Sequence, residues 1–377
     1  MNSQELITQA IQCFSLREYE KGKQLLKQAA DSGSPSAVLF YADVLFKQDK
    51  QAAYNYLGQQ AEFGVSGVLH RRALLRCFFD VQRDTETFKY ICDDLVSDAE
   101  TGGLQSIFAM LSVIKDTNIS AYYKYLLFKQ LPEVYALLVS DDAPSGVNAK
   151  PADDLIAKAF LSGINAWQHF DMQVLNAEIG LQIAKAALSD FECRYMLQRF
   201  SSLVQPSMVY DPATGLAKHD AYRTGAAVAI VPEYLDWITL AIEYKMAIFS
   251  GTERRNGEVM NMIHYLPKQY YLPHFDAIVG DTSSLKAQLA NGGQRQRTIL
   301  AYLNTVSAGG ETSFSKLKIK VKPYPGDLIT FLNVDKDGKL LQKSYHAGEE
   351  VLEGEKWLLS KWVRQSVTDY GTVVYGK

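Results

Sequence analysis

A chain of 377 residues exceeds the size of most single cores, so its length predicts about two domains. Its composition, 47% hydrophobic and 21% charged, is ordinary for a soluble globular protein, and a net charge of −3 lacks the basic excess of nucleic-acid-binding or membrane-surface proteins. No apolar run approaches the length of a membrane span, and the first residues show no secretory signal pattern. We therefore expect neither a nucleic-acid partner nor a membrane partner.

The cysteines predict a reducing environment. Cys13, Cys77, Cys92 and Cys193 have no Cys-x-x-Cys spacing and lie within helical patterns. Buried, reduced thiols are the expected state of such residues, and this usage is typical of the cytoplasm. We expect a cytoplasmic location.

Apolar residues recur at three- and four-residue spacing from residue 1 to about 200, which predicts successive helices. A motif of alanine, an acidic residue and glycine recurs, and its glycines, Gly33, Gly64 and Gly102, are separated by 31 and 38 residues. We expect each glycine to terminate a helix. The helices that follow are expected at residues 37–46, 68–79 and 106–114.

Two-helix repeats of this length predict an α-solenoid. The motif resembles Sel1-like repeats, which are relatives of the tetratricopeptide repeat. An irregular helical bundle is the alternative for this half of the chain.

The pattern changes beyond residue 200, where one helix is predicted at residues 232–250, followed by short β-rich segments. Turn sequences rich in Gly, Pro, Asn and Asp separate these segments, as in a jelly-roll-like double sheet. The predicted fold is a multidomain α+β chain, with a helical-repeat domain at 1–200 and a β-rich domain at 201–377. The strands are expected at residues 260–265, 269–275, 298–304, 317–321, 327–332 and 357–363.

The β-rich half contains a candidate metal site. His274 and Asp276 are separated by one residue, so strand alternation puts both side chains on one face, and His346 follows 70 positions after Asp276. Two histidines and one carboxylate are the ligands that hold Fe(II) on one face, although zinc accepts the same residue types. Lys356 lies in a strand-like run ten positions after His346, where an inward ammonium needs an anionic partner.

Several ordered motifs carry a family resemblance over about 155 residues, from roughly 220 to 375. They include the His274-Phe-Asp276 and Gly293-Gln-Arg295 motifs, Tyr302-Leu-Asn, Gly309-Gly-Glu-Thr312, His346-Ala-Gly and Lys356-Trp. In this order they resemble prolyl 4-hydroxylases, which are Fe(II)- and 2-oxoglutarate-dependent dioxygenases built on a double-stranded β-helix.

The resemblance implies a role for each matching residue. His274, Asp276 and His346 would bind iron, and 2-oxoglutarate would chelate it while its far carboxylate meets Lys356, helped by Tyr265 and Thr312. Arg295, Tyr271 and Trp362 would line the substrate side. The implied cofactors are Fe(II), 2-oxoglutarate as co-substrate and O2, with ascorbate as an optional addition.

The function implied is hydroxylation of a prolyl residue of a peptide or protein at C4, with release of succinate and CO2. The helical repeats would recruit the protein target. Two alternatives remain at this point: an oxygenase with a non-prolyl or small-molecule substrate, and a repeat scaffold that carries a sensor or relic oxygenase domain.

Overall fold

The computed structural model describes residues 2–80, 84–139, 149–206, 208–210, 217–219, 223–279 and 283–376. The chain divides into two compact units. The first comprises Met1–Tyr135 and Asp141–Gly163, and the second comprises Ala136–Ser140 and Ile164–Lys377.

The first unit is helical, and consecutive helices pack against each other along the chain. Its core contains fully buried small residues such as Ala29 and Ala37, which allow close helix packing. The helices are α1 (Ser3–Ser15), α2 (Tyr19–Asp31), α3 (Pro35–Gln48), α4 (Lys50–Glu62), α5 (Val68–Phe79), α6 (Thr85–Glu100), α7 (Leu104–Val113), α8 (Thr117–Gln130), α9 (Pro132–Leu138) and α10 (Asp153–Ala166), the last two of which end in the second unit.

The recurring glycines terminate α2, α4 and α6, as predicted. Gly33, Gly64 and Gly102 have φ angles of 88°, 73° and 98°, the left-handed region that glycine adopts without steric cost. After α2, Gly33 N donates to the carbonyl oxygen of Ala30 at 2.9 Å, which satisfies a terminal helix carbonyl. The predicted helices at 37–46, 68–79 and 106–114 correspond to α3, α5 and α7.

The second unit combines helices with antiparallel strands. The helices are α11 (Asp190–Phe200), α12 (Trp237–Ser250), α13 (Ser283–Ala290) and α14 (Asp369–Tyr375). The strands are β1 (Met172–Asn176), β2 (Leu181–Ala184), β3 (Gln205–Pro206), β4 (Met208–Tyr210), β5 (Ala217–His219), β6 (Ala226–Ile230), β7 (Met260–Tyr265), β8 (Tyr271–His274), β9 (Arg295–Tyr302), β10 (Ala308–Gly309), β11 (Thr312–Phe314), β12 (Ile319–Val321), β13 (Leu328–Leu332), β14 (His346–Gly348), β15 (Val351–Glu353) and β16 (Lys356–Arg364).

Two larger sheets carry the features that matter for function. One has the strand order β1-β2-β13-β9-β16-β7-β6-β3, and the other has the order β12-β11-β14-β8. A buried cluster contains Ile263, Leu300 and Leu358 from the first sheet and Val321 from the second, so the two sheets share a hydrophobic core. The pairs β10–β15 and β4–β5 form two further small sheets.

The sequence-based prediction of helices up to residue 200 is wrong for one segment. Residues 172–184 form the hairpin β1–β2, and β2 pairs with β13 inside the large sheet. Two strands of five and four residues are too short for a periodic pattern to distinguish them from helix. The continuous part of the second unit begins at Ile164, whereas the domain boundary is predicted at residue 200.

The remaining predicted elements lie close to the observed ones. The helix predicted at 232–250 corresponds to a short 3-10 turn followed by α12, and each of the six predicted strands overlaps an observed strand. The four cysteines are buried thiols that form no disulfide among the described residues, as expected. No helix within the described part of the chain is both long and apolar enough to cross a bilayer.

Candidate active site

Three potential metal ligands converge on the four-stranded sheet. His274 ends β8 and His346 begins β14, and the pairing of these strands puts the two histidines opposite each other. Asp276 Oδ1 lies 3.5 Å from His274 Nε2, and Asp276 Oδ2 lies 3.5 Å from His346 Nε2. All three ligand atoms lie within 4.8 Å of one another. Two imidazoles and one carboxylate in this arrangement can bind a divalent cation and leave coordination positions open.

The orientation of both imidazoles fits metal binding. His274 Nδ1 lies 2.7 Å from the carbonyl oxygen of Leu272, and His346 Nδ1 lies 2.9 Å from that of Ser344. Because a carbonyl oxygen can only accept, each Nδ1 carries a proton, and in the neutral imidazole Nε2 is then the nitrogen with the free lone pair. A carbonyl partner on the remote ring nitrogen is common among histidines that bind metals. The side chains therefore fit a cation without a change of tautomer.

The electrostatics of the cluster also favour a cation. Burial lowers the pKa of His346 to about 4, so the imidazole is neutral at pH 7 and available as a ligand. Burial alone would raise the pKa of Asp276, but the adjacent His346 and His274 and a hydrogen bond from Thr298 outweigh burial and hold that pKa below its ordinary value. The carboxylate is ionised at neutral pH and attracts positive charge.

A buried ammonium group lies in the same pocket. Lys356 begins β16, is 2% exposed, and lines the pocket together with the three candidate ligands. Its Nζ lies 6.0 Å from the ring centre of Tyr265 and 5.7 Å from that of Tyr302. Burial lowers the pKa of Lys356 to about 8, against the opposing effect of Glu311 and Glu349. A buried ammonium group in such surroundings favours an anionic ligand.

Tyr265 and Thr312 line the same pocket as this lysine. The register of β7 and β16 puts Tyr265 directly opposite Lys356. Thr312, in β11, accepts a hydrogen bond of 2.7 Å from the hydroxyl group of Tyr302. Tyr265 and Thr312 both line the pocket, which gathers an ammonium group and two hydroxyl groups in one region.

The three predicted substrate-side residues occupy different positions. Tyr271 and Trp362 line the pocket, and the Tyr271 ring stacks on the His274 ring at 3.6 Å. Arg295 does not line the pocket. Its Nε and Nη2 donate to the two carboxylate oxygens of Glu258 at 2.7 and 2.9 Å, and its guanidinium lies 3.7 Å from the centre of the Trp362 ring. Arg295 therefore contacts the Trp362 ring, and Glu258 holds its guanidinium in place.

Comparison with known proteins agrees with this geometry. The profile of the 2OG-Fe(II) oxygenase superfamily matches residues 260–364. Prolyl 4-hydroxylase 1 of Arabidopsis thaliana is 37% identical over 195 residues, covering 48% of this chain and 67% of the relative. Probable prolyl 4-hydroxylase 6 of the same plant is 32% identical over 198 residues, with the same coverage of 48% and 67%.

The chain belongs to the prolyl 4-hydroxylase family. Among solved structures, the viral collagen prolyl hydroxylase of Paramecium Bursaria Chlorella virus-1, in complex with 2-oxoglutarate, is 26% identical with a TM-score of 0.39. The match covers 49% of this chain and 95% of the viral chain. As a member of the 2OG-Fe(II) oxygenase superfamily, the protein is a 2-oxoglutarate-dependent dioxygenase that uses Fe(II) and O2.

The pocket of this prolyl 4-hydroxylase family member contains further residues that the sequence alone did not assign to the site. Arg223 and Ser360 line the pocket, and Ser360 could have been found because it alternates with Lys356 and Trp362 along β16. Arg223 Nε and Trp362 Nε1 are buried donors that lack a hydrogen-bond partner among the described residues. Such donors suit a ligand that presents oxygen acceptors.

Proposed function

We propose that this protein hydroxylates a prolyl residue of a peptide or protein at C4, with release of succinate and CO2. The observation that carries the proposal is the cluster of His274, Asp276 and His346, the last two of them buried, in one pocket with the buried ammonium group of Lys356. The names of the related plant proteins support the prolyl substrate.

We infer that His274 Nε2, His346 Nε2 and the Asp276 carboxylate hold the iron. When bound, Fe(II) with 2-oxoglutarate supplies the activation of O2 and the oxidation of an unactivated C–H bond. Zinc would accept the same three ligands, but a zinc hydrolase site gives no role to a buried ammonium group in the same pocket. Family membership and Lys356 together favour iron.

Lys356 is proposed to bind the remote carboxylate of 2-oxoglutarate, with hydrogen bonds from Tyr265 and Thr312. An ammonium group in a dry pocket forms a strong charge-assisted hydrogen bond with a carboxylate. The hydrogen bond from Tyr302 to Thr312 fixes the threonine hydroxyl. The chain thereby orients the co-substrate relative to the metal ligands.

The peptide is proposed to lie against Tyr271 and Trp362, where the buried donors of Trp362 and Arg223 can meet backbone carbonyl oxygens. Arg295 acts indirectly, because its guanidinium stacks on the Trp362 ring and is fixed by Glu258.

Substitution Trp362→Phe tests this peptide position. It keeps an aromatic ring and removes the Nε1 donor, and one lost hydrogen bond of about 1–1.5 kcal/mol should raise the peptide KM roughly 10-fold. The KM for 2-oxoglutarate should stay unchanged in steady-state succinate assays. Trp357→Phe is the matched control, since Trp357 stacks on His264 rather than lining the pocket. A peptide KM equal in Trp362→Phe and wild type would contradict the proposal.

The direct test of the substrate is product mapping. The full-length protein is incubated with Fe(II), 2-oxoglutarate, air and proline-containing peptides, and succinate release is followed by mass spectrometry of the peptide. We expect one added oxygen atom on a proline, at C4 by comparison with hydroxyproline standards. Oxygen on another residue would identify a different substrate class for the same site.

We further propose that the first unit is an α-solenoid of Sel1-like repeats and that the two larger sheets form a double-stranded β-helix. The packing of consecutive helices and the three glycine-terminated helices support the first proposal. The antiparallel sheets with a shared core support the second. Extended concave surfaces of solenoids suit protein partners, so we propose that this unit recruits the target. Ascorbate binding and the cytoplasmic location stay predictions.

Removal of residues 1–163 tests recruitment. Turnover of a short proline peptide should be retained, whereas KM for a full-length protein target should rise about 100-fold, because the second contact no longer raises the local concentration. A deletion that ends at residue 163 removes the first unit and only Ala136–Ser140 of the second, whereas one that ends at residue 200 also removes β1 and β2 from the large sheet. Equal KM values for the full-length target would exclude recruitment by this unit.

A further inference from the structure

A buried chain of hydrogen bonds lies behind the carboxylate of the candidate metal site. Thr298 Oγ1 donates to Asp276 Oδ2 at 2.6 Å, and Asn333 Nδ2 donates to Thr298 Oγ1 at 2.9 Å. Thr298 and Asn333 are both fully buried. Neither residue lines the pocket, so neither can touch a bound ligand there.

The large sheet fixes the positions of both residues. Thr298 lies in β9, opposite Phe331 of β13 and Trp362 of β16, and Asn333 follows the last residue of β13. The backbone N–H of Asn333 donates to the carbonyl oxygen of Gln296 at 2.9 Å, and its carbonyl oxygen accepts from Leu341 N at 3.0 Å. Strand register therefore sets the distance between the amide, the hydroxyl and the carboxylate.

The chemistry of the groups fixes the direction of each hydrogen bond. A carboxylate that binds a cation is ionised and can only accept, so the single hydroxyl hydrogen of Thr298 points at Asp276. The lone pairs of that hydroxyl then need a donor, and the amide nitrogen of Asn333 supplies it. This assignment leaves Asn333 Oδ1 buried without a hydrogen-bond partner among the described residues.

The orphaned oxygen argues that Asn333 is not there for stability. A buried acceptor without a donor costs about 1–3 kcal/mol, and the amide offsets this with only one donated hydrogen bond. What the amide does achieve is a fixed direction for the Thr298 hydroxyl. Without the amide the hydroxyl could rotate away from Asp276. The neighbouring Thr330 does not hold it, because Thr330 Oγ1 donates to the backbone carbonyl oxygen of Thr298 and not to its side chain.

We propose that Asn333 and Thr298 are a positioning pair that fixes the carboxylate of Asp276 for metal binding. The pair holds Oδ2 from behind, which stops rotation about the Cβ–Cγ bond and presents the carboxylate to the cation in one orientation. The inference rests on the proposed iron site. It concerns residues that act through Asp276 and touch neither metal nor substrate.

The test measures metal affinity and geometry rather than activity. Mn(II) dissociation constants are determined by electron paramagnetic resonance, and Co(II) visible absorption reports the ligand geometry, both on the full-length protein. Thr298→Val, which removes the hydroxyl at nearly constant shape, should weaken Mn(II) binding about 10-fold and alter the Co(II) spectrum, as loss of outer-shell partners does. Thr298→Ser keeps the hydroxyl and should restore both properties.

Asn333→Ala should weaken Mn(II) binding by a smaller factor, and this effect should vanish in the Thr298→Val background, where there is no hydroxyl to orient. Additive effects, or Mn(II) affinity unchanged in Thr298→Val, would overturn the proposal. Thermal unfolding distinguishes a positioning role from a purely structural one. A purely structural role would lower the melting temperature without moving the Co(II) absorption bands. If Asn333→Ala does not fold, the comparison of Thr298→Val with Thr298→Ser decides alone.

The iron site itself is checked separately with His346→Ala. Mn(II) binding that survives this substitution unchanged would refute the metal assignment. Loss of binding in His346→Ala, together with wild-type affinity in Thr298→Val, would refute only the positioning pair.

Discussion

Substitution His346→Ala is expected to abolish 2-oxoglutarate turnover. The substitution removes one of three ligands. The two that remain, His274 and Asp276, offer a divalent cation one imidazole nitrogen instead of two. Loss of an outer-shell partner alone costs about 10–100-fold in metal affinity, so loss of a ligand should cost more than about 100-fold. Succinate release at micromolar Fe(II) should fall to background.

The measurement pairs Fe(II)-dependent succinate release with Mn(II) binding, so that loss of metal can be distinguished from loss of chemistry. His264→Ala is the matched control: this histidine lies in β7 of the same unit, stacks on Trp357 at 3.7 Å and contacts Glu355 rather than the pocket. The control should retain turnover and metal affinity. Succinate release by His346→Ala close to the wild-type rate would remove His346 from the metal site.

The sequence brings two of the three candidate ligands together because they are close neighbours in the chain. His274 and Asp276 are two positions apart, so both lie at one end of β8, although the strand ends at His274 and Asp276 lies just beyond it. That His346 lies opposite His274 is a matter of register between β8 and β14, and the spacing of 70 residues between Asp276 and His346 does not encode it. The family resemblance supplied this link.

Other parts of the site depend on tertiary register and could not be read from the sequence. Thr298 and Asn333 are 35 positions apart and meet only because β9 and β13 pair with Thr298 opposite Phe331. The pairing of Arg295 with Glu258 was equally invisible, and it explains why this arginine supports Trp362 instead of lining the pocket. The hairpin β1–β2 was missed because strands of four or five residues carry too little periodicity.

Substitution Lys356→Met is expected to stabilise the ligand-free protein while it destroys co-substrate binding. Burial lowers the pKa of Lys356 from 10.5 to about 8, and each pKa unit corresponds to about 1.4 kcal/mol, so the charged side chain costs the folded state about 3 kcal/mol at pH 7. Methionine has similar volume and no charge. It should raise the melting temperature by several degrees in differential scanning calorimetry.

The pH dependence of this stability difference follows from the direction of the shift. Between about pH 8 and 10.5 the unfolded chain holds a proton on Lys356 that the folded chain has lost, so the wild-type protein gains stability as pH rises through this window. The advantage of Lys356→Met should therefore be largest below pH 8 and shrink above it. A variant that is less stable than wild type at pH 7 would contradict a costly buried charge.

Binding of 2-oxoglutarate should be weakened by Lys356→Met, in contrast to the stability of the ligand-free protein. Truncating one partner of a buried charge pair costs about 2–5 kcal/mol, so the dissociation constant should rise about 30-fold or more in Lys356→Met. In the wild type the dissociation constant should be constant below pH 8 and rise above it, as the ammonium group loses its proton. Lys356→Arg separates charge from fit, since a guanidinium keeps its charge throughout this range. Its affinity should be independent of pH, whatever its absolute value. A destabilising charge is retained in the fold when a ligand supplies its partner, and the coincidence of higher stability with lost binding in Lys356→Met would identify that ligand as the dicarboxylate.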